Sequence, residues 1–404
     1  MRLGFRLDAL NFLLADVRGG LGPYVGVFLL TQANWDQATI GAVLTVSGLI
    51  GITLHTPVGA LIDATRRKRG LIVAGVAALS ASAMAIAHAP TLPVVLAADV
   101  AMAVLGAVFA PTVAAITVGL VRRDELAARL GRNAAFDRVG NIFIAGMAGL
   151  VGWAFSQQAV FYLTPLFGVM TAAVVLSIPA AAIDHARARG LDGGEEGATQ
   201  ERHGAAAWSV LLQRRPLLVL ALGVALFHFA NASMLPLLGQ ELALAHPEVA
   251  TALVSACIVT AQLASIPTAL LVGWKADAWG RKPLLLVGFA ALPLRGLLLT
   301  LSDDPAWLIA VQILDGVSLG TLDALLALVL ADVMRGTGRY NLARGVVGTV
   351  QGIGGSLSNV AAGLFVVRAG YDATFLALAA VALLAFLLVW ALMPETREEG
   401  EVPA

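Results

Sequence analysis

The segment Gly59-Ala-Leu-Ile-Asp63-Ala-Thr-Arg66-Arg67-Lys68 is echoed later in the chain as Gly273-Trp-Lys-Ala-Asp277-Ala-Trp-Gly280-Arg281-Lys282. In both places one long apolar stretch ends in a basic turn and another begins. A charged hinge repeated at matching points divides the chain into two similar halves, with the hinge between the second and third apolar segments of each. A second echo, Gly131-Arg132-Asn133 against Gly338-Arg339-Tyr340-Asn341, follows the fourth segment of each half.

These segments hold more apolar surface than a soluble core could hide. Of 404 residues 59% are hydrophobic and 13% charged, with a mean hydropathy of +0.85. That composition lies outside the soluble range and fits a lipid environment. The net charge of zero argues against a nucleic-acid partner. The single cysteine, Cys257, offers neither a disulfide framework nor a thiolate metal cluster. No Walker sequence, HExxH or nucleophile elbow occurs, so the sequence gives no sign of an enzyme, a cofactor or a metal centre. Gly348-x-x-x-Gly352-Ile-Gly354-Gly355 has no strand before it and reads as helix packing rather than a nucleotide loop.

Apolar stretches of about 20 residues predict spanning helices. In the first half they cover 8–30, 37–62, 70–88, 93–119, 134–155 and 159–182. In the second they cover 216–240, 249–274, 284–302, 306–330, 345–367 and 374–393. The first stretch, behind Arg2 and Arg6, is too long for a cleavable signal. The polar segment 183–215 predicts a flexible loop between bundles 1–182 and 216–404. All 26 Lys and Arg residues except Arg18, Arg295 and Arg368 fall in the termini or in alternate turns. The positive-inside rule then places both termini and the 183–215 loop in the cytoplasm. The arginine-rich composition suggests a bacterial source, and hence a multi-pass protein of the inner membrane.

Twelve spans in two parallel halves with this hinge resemble the major facilitator superfamily. Its hinge pattern is Gly-x-x-x-Asp-x-x-Gly-Arg-Lys. The second copy matches at Gly273, Asp277, Gly280, Arg281 and Lys282; the first matches at Gly59, Asp63, Arg67 and Lys68, with Arg66 in place of the inner glycine. The resemblance implies an all-α fold of two pseudo-symmetric six-helix bundles, acting as a monomeric secondary transporter by alternating access. It also implies that each hinge Asp latches a cytoplasmic gate, Asp63 against the start of the eleventh helix and Asp277 against the start of the fifth. Proton-coupled drug and metabolite exporters are the members the chain most resembles. It lacks their fifth-helix Gly-Pro and their fourth-helix arginine.

The resemblance further implies that the first, fourth, seventh and tenth helices line the cavity. Each carries an ionisable group: Asp16 and Arg18, Asp99, His228, and Asp315 with Asp323. Such groups cost about 2.5–3.5 kcal/mol each in a membrane, so they must be paired, hydrated or protonated. Asp16 and Arg18, two apart, point to opposite sides of their helix and cannot pair simply. Gln312 with Asp315, and His228 with Asn231, are neighbours three apart. Asp16 and then Asp315 are the expected proton-coupling carboxyls. Arg18, Tyr24, Asp99, His228, Asn231, Gln262, Gln312, Asp323 and Gln351 are the expected cavity residues.

Arg295, on the ninth helix, is expected to pair with an acid or snorkel outward, with no transport role. Phosphorylated substrates of this family meet paired basic residues, and the cavity helices offer only one arginine. A small cationic, zwitterionic or neutral solute is therefore expected, with protons and lipid as the other partners. Import or facilitated passage, divalent-metal export through His228, and a sensor or lipid scramblase on the same scaffold remain alternatives. The acidic tail from Glu395 to Glu401 is expected to be solvated.

Overall fold

The computed structural model describes residues 3–15, 21–65, 67–184, 213–337 and 339–397. Asp16, Arg18, Arg66, the loop 185–212 and the tail from 398 onward lie outside the described residues, as do the side-chain surroundings of Gly59, Asp63 and Asn341. Every regular element among the described residues is a helix. Lipid supplies no hydrogen bonds, so a spanning chain must satisfy its own backbone, and helices do so within each segment.

Two compact units divide the chain. The first comprises Met1–Asn34, Val46–Gln200 and His246–Ser255; the second comprises Trp35–Thr45, Glu201–Ala245 and Ala256–Ala404. Each thus takes most of one sequence half and the opening turns of one helix from the other.

The first half contributes α1 (Leu3–Ala15), α2 (Gly22–Thr31), α3 (Gln37–Ala64), α4 (Lys68–His88), α5 (Leu92–Leu120), α6 (Arg123–Ala154) and α7 (Leu163–Ser177). The second contributes α8 (Arg215–Asn231), α9 (Met234–Ala245), α10 (Ala250–Trp279), α11 (Arg281–Leu298), α12 (Pro305–Met334) and α13 (Tyr340–Leu392). The expected 216–240 span is broken after Asn231 into α8 and α9, and Ser233 at the break shares a 2.7 Å hydrogen bond with Ser358. The expected 345–367 and 374–393 spans meet at Gly370 without a loop. There φ is 83° and ψ is 176°, a region only glycine enters, so α13 is two helices joined at one residue.

Nine helical stretches among the described residues are long and apolar enough to cross a bilayer. One of them holds both limbs of α13. The remaining spans are α1 with α2, too short singly, and α11, which carries Arg281, Lys282 and Arg295.

In unit 1, Leu7, Leu10 and Leu14 of α1 pack with Ile72, Val76 and Leu79 of α4 and with Phe109, Val113 and Ile116 of α5. Between apolar helices in lipid such packing acts through close contact rather than escape from water. The opening turns of α3 press onto α13 in unit 2. Thr45 Oγ1 donates to the Ser356 carbonyl at 2.6 Å and accepts from Val360 N–H at 3.0 Å, and Gln37 Nε2 donates to Tyr371 Oη at 3.0 Å. The opening turns of α10 do the same on α6 in unit 1, where a Cβ at Gly152 would lie 2.3 Å from Thr251 Cγ2.

Gly41 is the tightest point of the α3 contact, since a Cβ there would lie 2.2 Å from the Asn359 carbonyl oxygen. Gly41→Val should therefore lose about 1–3 kcal/mol through overpacking against backbone. It should lower the melting temperature in detergent, whereas Gly22→Ala, with nothing within 4 Å, should leave it unchanged.

Candidate substrate and gating sites

An arginine with no exposed surface forms the hub of a polar network in unit 2. Arg295, near the end of α11, is 0% exposed. Its Nη1 donates to Asp315 Oδ1 and to Asn231 Oδ1, both at 2.7 Å, and its Nη2 donates to Gln312 Oε1 at 2.7 Å. Gln312 Nε2 donates onward to the Leu308 carbonyl at 2.9 Å. The spacing of three puts Gln312 and Asp315 on one face of α12, as expected. The network joins α8, α11 and α12, and leaves Arg295 Nε without a partner among the described residues. A buried guanidinium persists only when its charge and donors are met, and a carboxylate with two amide oxygens meets most of that need.

Arg295 does pair with an acid, but that acid is Asp315 itself. The expected acid partner of Arg295 is therefore the carboxyl also expected to couple protons. The signal was present: Arg295 is the lone arginine inside a span of the second half, facing a half with buried carboxyl and amide groups.

Other expected cavity residues lie apart from this network. His228 Nδ1 lies 3.0 Å from its own-helix carbonyl of Val224, while Asn231 turns to Arg295, so the two do not act as a pair. Tyr24 is buried in unit 1 and shares a 2.7 Å hydrogen bond with Ser255. Asp99 accepts from Ser47 Oγ. Gln262 and Gln351 are half-buried and Asp323 is exposed. Asp16 and Arg18 lie outside the described residues. Among the described residues no three His, Cys, Asp or Glu side chains converge as metal ligands.

The second hinge copy is more elaborate than its motif. Asp277 Oδ1 accepts from Arg281 Nη1 at 2.6 Å, and Arg281 Nε reaches Asp332 Oδ2 at 3.1 Å. Glu395 then folds back onto the start of α11. Its carboxylate accepts from the backbone N–H of Arg281 at 2.9 Å and of Lys282 at 3.1 Å, and from those of Thr396 and Arg397 at 2.9 and 3.0 Å. A helix start leaves its first N–H groups unpaired and carries partial positive charge, so a carboxylate suits it. Gly280 makes the approach possible: its φ is 91°, and a Cβ there would lie 2.6 Å from Glu395 Oε2. Arg397 Nη1 adds bonds to the carbonyls of Asp277 and Ala278 at 2.6 and 3.0 Å. Glu395 is thus a helix cap while remaining exposed, so a solvated tail residue also holds the start of α11.

The first copy, with Arg66 where the glycine would be, is built differently. Lys68 is 1% exposed, and its Nζ donates to the Ile62 carbonyl at 2.7 Å. That bond meets a carbonyl near the end of α3, while Arg67 is exposed.

Helices of spanning length, a buried charge network within them and a duplicated hinge define a multi-pass membrane protein of the transporter type. The Major Facilitator Superfamily model matches residues 7–261 and 223–404, and the chain belongs to that family. It is 47% identical over 400 residues to an uncharacterised MFS-type transporter of Mycobacterium tuberculosis strain CDC 1551 / Oshkosh, covering 98% of this chain and 94% of that protein. The crystal structure of the nucleoside transporter NupG is similar with a TM-score of 0.81 at 14% identity, covering 97% of this chain and 99% of the other. That of a D-xylose-proton symporter gives 0.73 at 13% identity, with 99% and 98% covered. At these identities the likeness shows the fold.

Two outcomes test the sites. Arg295→Met should destabilise the protein by about 3–5 kcal/mol, because it strands Asp315 in a buried site. Adding Asp315→Leu should restore most of the loss, as read by thermal melting in detergent. For Glu395, partial burial pushes the pKa up, and the four backbone N–H groups outweigh it, leaving it below 4.5. The cap therefore contributes fully above pH 4.5 and fades as pH falls toward the lower folded value. Glu395→Gln should melt earlier than the parent near neutral pH, with the gap closing below about pH 4.

Proposed function

We propose that this chain is a secondary transporter that moves a small cationic, zwitterionic or neutral solute across a bacterial inner membrane by alternating access. It works as a monomer with both termini in the cytoplasm, and proton movement drives export. The observation that carries this reading is the Arg295–Asp315 pair, buried with Gln312 and bonded to the half-buried Asn231 inside a transporter-family fold.

A proton taken up by Asp315 would cancel the charge that balances Arg295. The guanidinium would then need another acceptor, either a solute group or water, so protonation and solute occupancy compete for one cation. Moving one charge across the bilayer is worth about 2.3 kcal/mol per 100 mV, sufficient to drive uphill transport. Asp16 is the second carboxyl in this scheme, on the first span. Because Asp315 neutralises Arg295, the reading favours solutes without phosphate. The nucleoside and sugar carriers among the structural neighbours fit that preference.

The test is flux in proteoliposomes under an imposed pH gradient, using labelled nucleosides, sugars and organic cations. Asp315→Asn and Asp16→Asn should each abolish gradient-driven movement while solute exchange continues. Undiminished gradient-driven flux in Asp315→Asn would remove that residue from coupling.

A further inference from the structure

One carboxyl in unit 1 takes no part in the Arg295 network and solves the problem of its charge differently. Asp99 lies seven residues past the start of α5 at Leu92, about 10 Å along the helix at 1.5 Å per residue. That depth falls inside an apolar span, where an ionised side chain has to be paired, hydrated or protonated. The two fully buried acids among the described residues are paired with arginine. Asp8 accepts from Arg129 Nη2 at 2.6 Å and from Arg132 Nη2 at 2.8 Å, and Asp315 accepts from Arg295 Nη1 at 2.7 Å.

Asp99 has a hydroxyl instead. Ser47 Oγ, buried on α3, donates to Asp99 Oδ2. Among the described residues no charged group of α1, α3, α4 or α6 acts on Asp99, and Ser47 is its one polar partner. Four residues further along each helix, Gly51 of α3 meets Ala103 of α5. A Cβ on Gly51 would lie 3.1 Å from Ala103 Cβ and 3.4 Å from the Ala103 carbonyl oxygen. The two helices therefore run side by side in the same direction and close tightly one turn beyond the pair, which keeps Ser47 in register with Asp99. Half-burial of Asp99 leaves part of the carboxyl open to proton exchange. A carboxyl with one hydroxyl partner and no cation avoids burying a charge by holding a proton.

From this geometry we propose that Asp99 and Ser47 form a proton-binding site in unit 1, separate from the Arg295–Asp315 pair. Asp99 takes a proton from water to become the neutral acid and returns it to water on release. Ser47 is the positioning residue, and its O–H meets the carboxylate left behind. That this proton moves with the solute rests on the transport reading above.

The experiment treats the purified full chain in detergent with dicyclohexylcarbodiimide and maps the labelled residues by peptide mass spectrometry. The O–H of a protonated carboxyl adds across a C=N bond of this apolar reagent, and the adduct rearranges to a stable N-acylurea with no leaving group. Labelling at Asp99 should fall about tenfold or more between about pH 5.5 and about pH 9, and be absent in Asp99→Asn. Ser47→Ala removes the donor that favours the ionised form, so labelling should persist to a pH about one unit higher. It retains the carboxyl, so it still tests the site if Asp99→Asn fails to fold. In proteoliposomes Asp99→Asn should lose gradient-driven flux while solute exchange continues. Labelling judges the site whether or not any tested solute moves, which separates failure of the transport reading from failure here. No labelling at Asp99 in acid, labelling indifferent to pH, a profile unmoved by Ser47→Ala, or undiminished gradient-driven flux in Asp99→Asn would overturn the proposal.

Discussion

A guanidinium without solvent, inside a bundle of apolar helices, sets terms that its neighbours must meet. Arg295 buries its guanidinium completely, so the fold has to supply acceptors for its donors. It does so from two other helices, α8 and α12, with one carboxylate and two amides. Three helices of the second half are thereby held in register by groups that cannot be replaced singly. Because burial removes the competing water, each bond of the network is stronger than it would be in solvent.

The hinges follow a related logic at the ends of the spans. Where α10 gives way to α11, the chain turns through Gly280 and exposes the first N–H groups of α11. Glu395 returns from the end of α13 to accept two of them. Where α3 gives way to α4, Lys68 reaches back to the carbonyl of Ile62. One hinge is closed by an anion on donors and the other by a cation on an acceptor. Both satisfy helix ends that the turn would otherwise leave open.

The sequence was most readable where periodicity and charge placement act locally. Span positions followed from apolar length, and Gln312 with Asp315 from helical spacing. It was least readable where one residue decides the path. Gly370 joins two helices that composition alone would separate by a loop, and α8 breaks at Ala232-Ser233, which carry no proline or glycine. The acceptor sets of Arg295 and Glu395 were hidden for a different reason. Each is assembled from segments far apart in the chain: 64 positions separate Arg295 from Asn231, and 114 separate Glu395 from Arg281. An isolated charge in a span can be recognised as needing a partner, but its position does not name that partner.

The difference between the two hinges bears on how far the internal repeat can be trusted as a guide. A duplicated motif invites transfer of a role from one copy to the other. The two copies part at the inner glycine: Gly280 takes a φ of 91°, which L side chains rarely adopt, and it lies directly under the Glu395 cap. Lys68 supplies another solution, in which the side chain is buried and its Nζ donates to the Ile62 carbonyl. The two halves therefore share topology while their hinge chemistry has separated. A role for either hinge has to be argued from its own bonds, and symmetry supplies only the place to look.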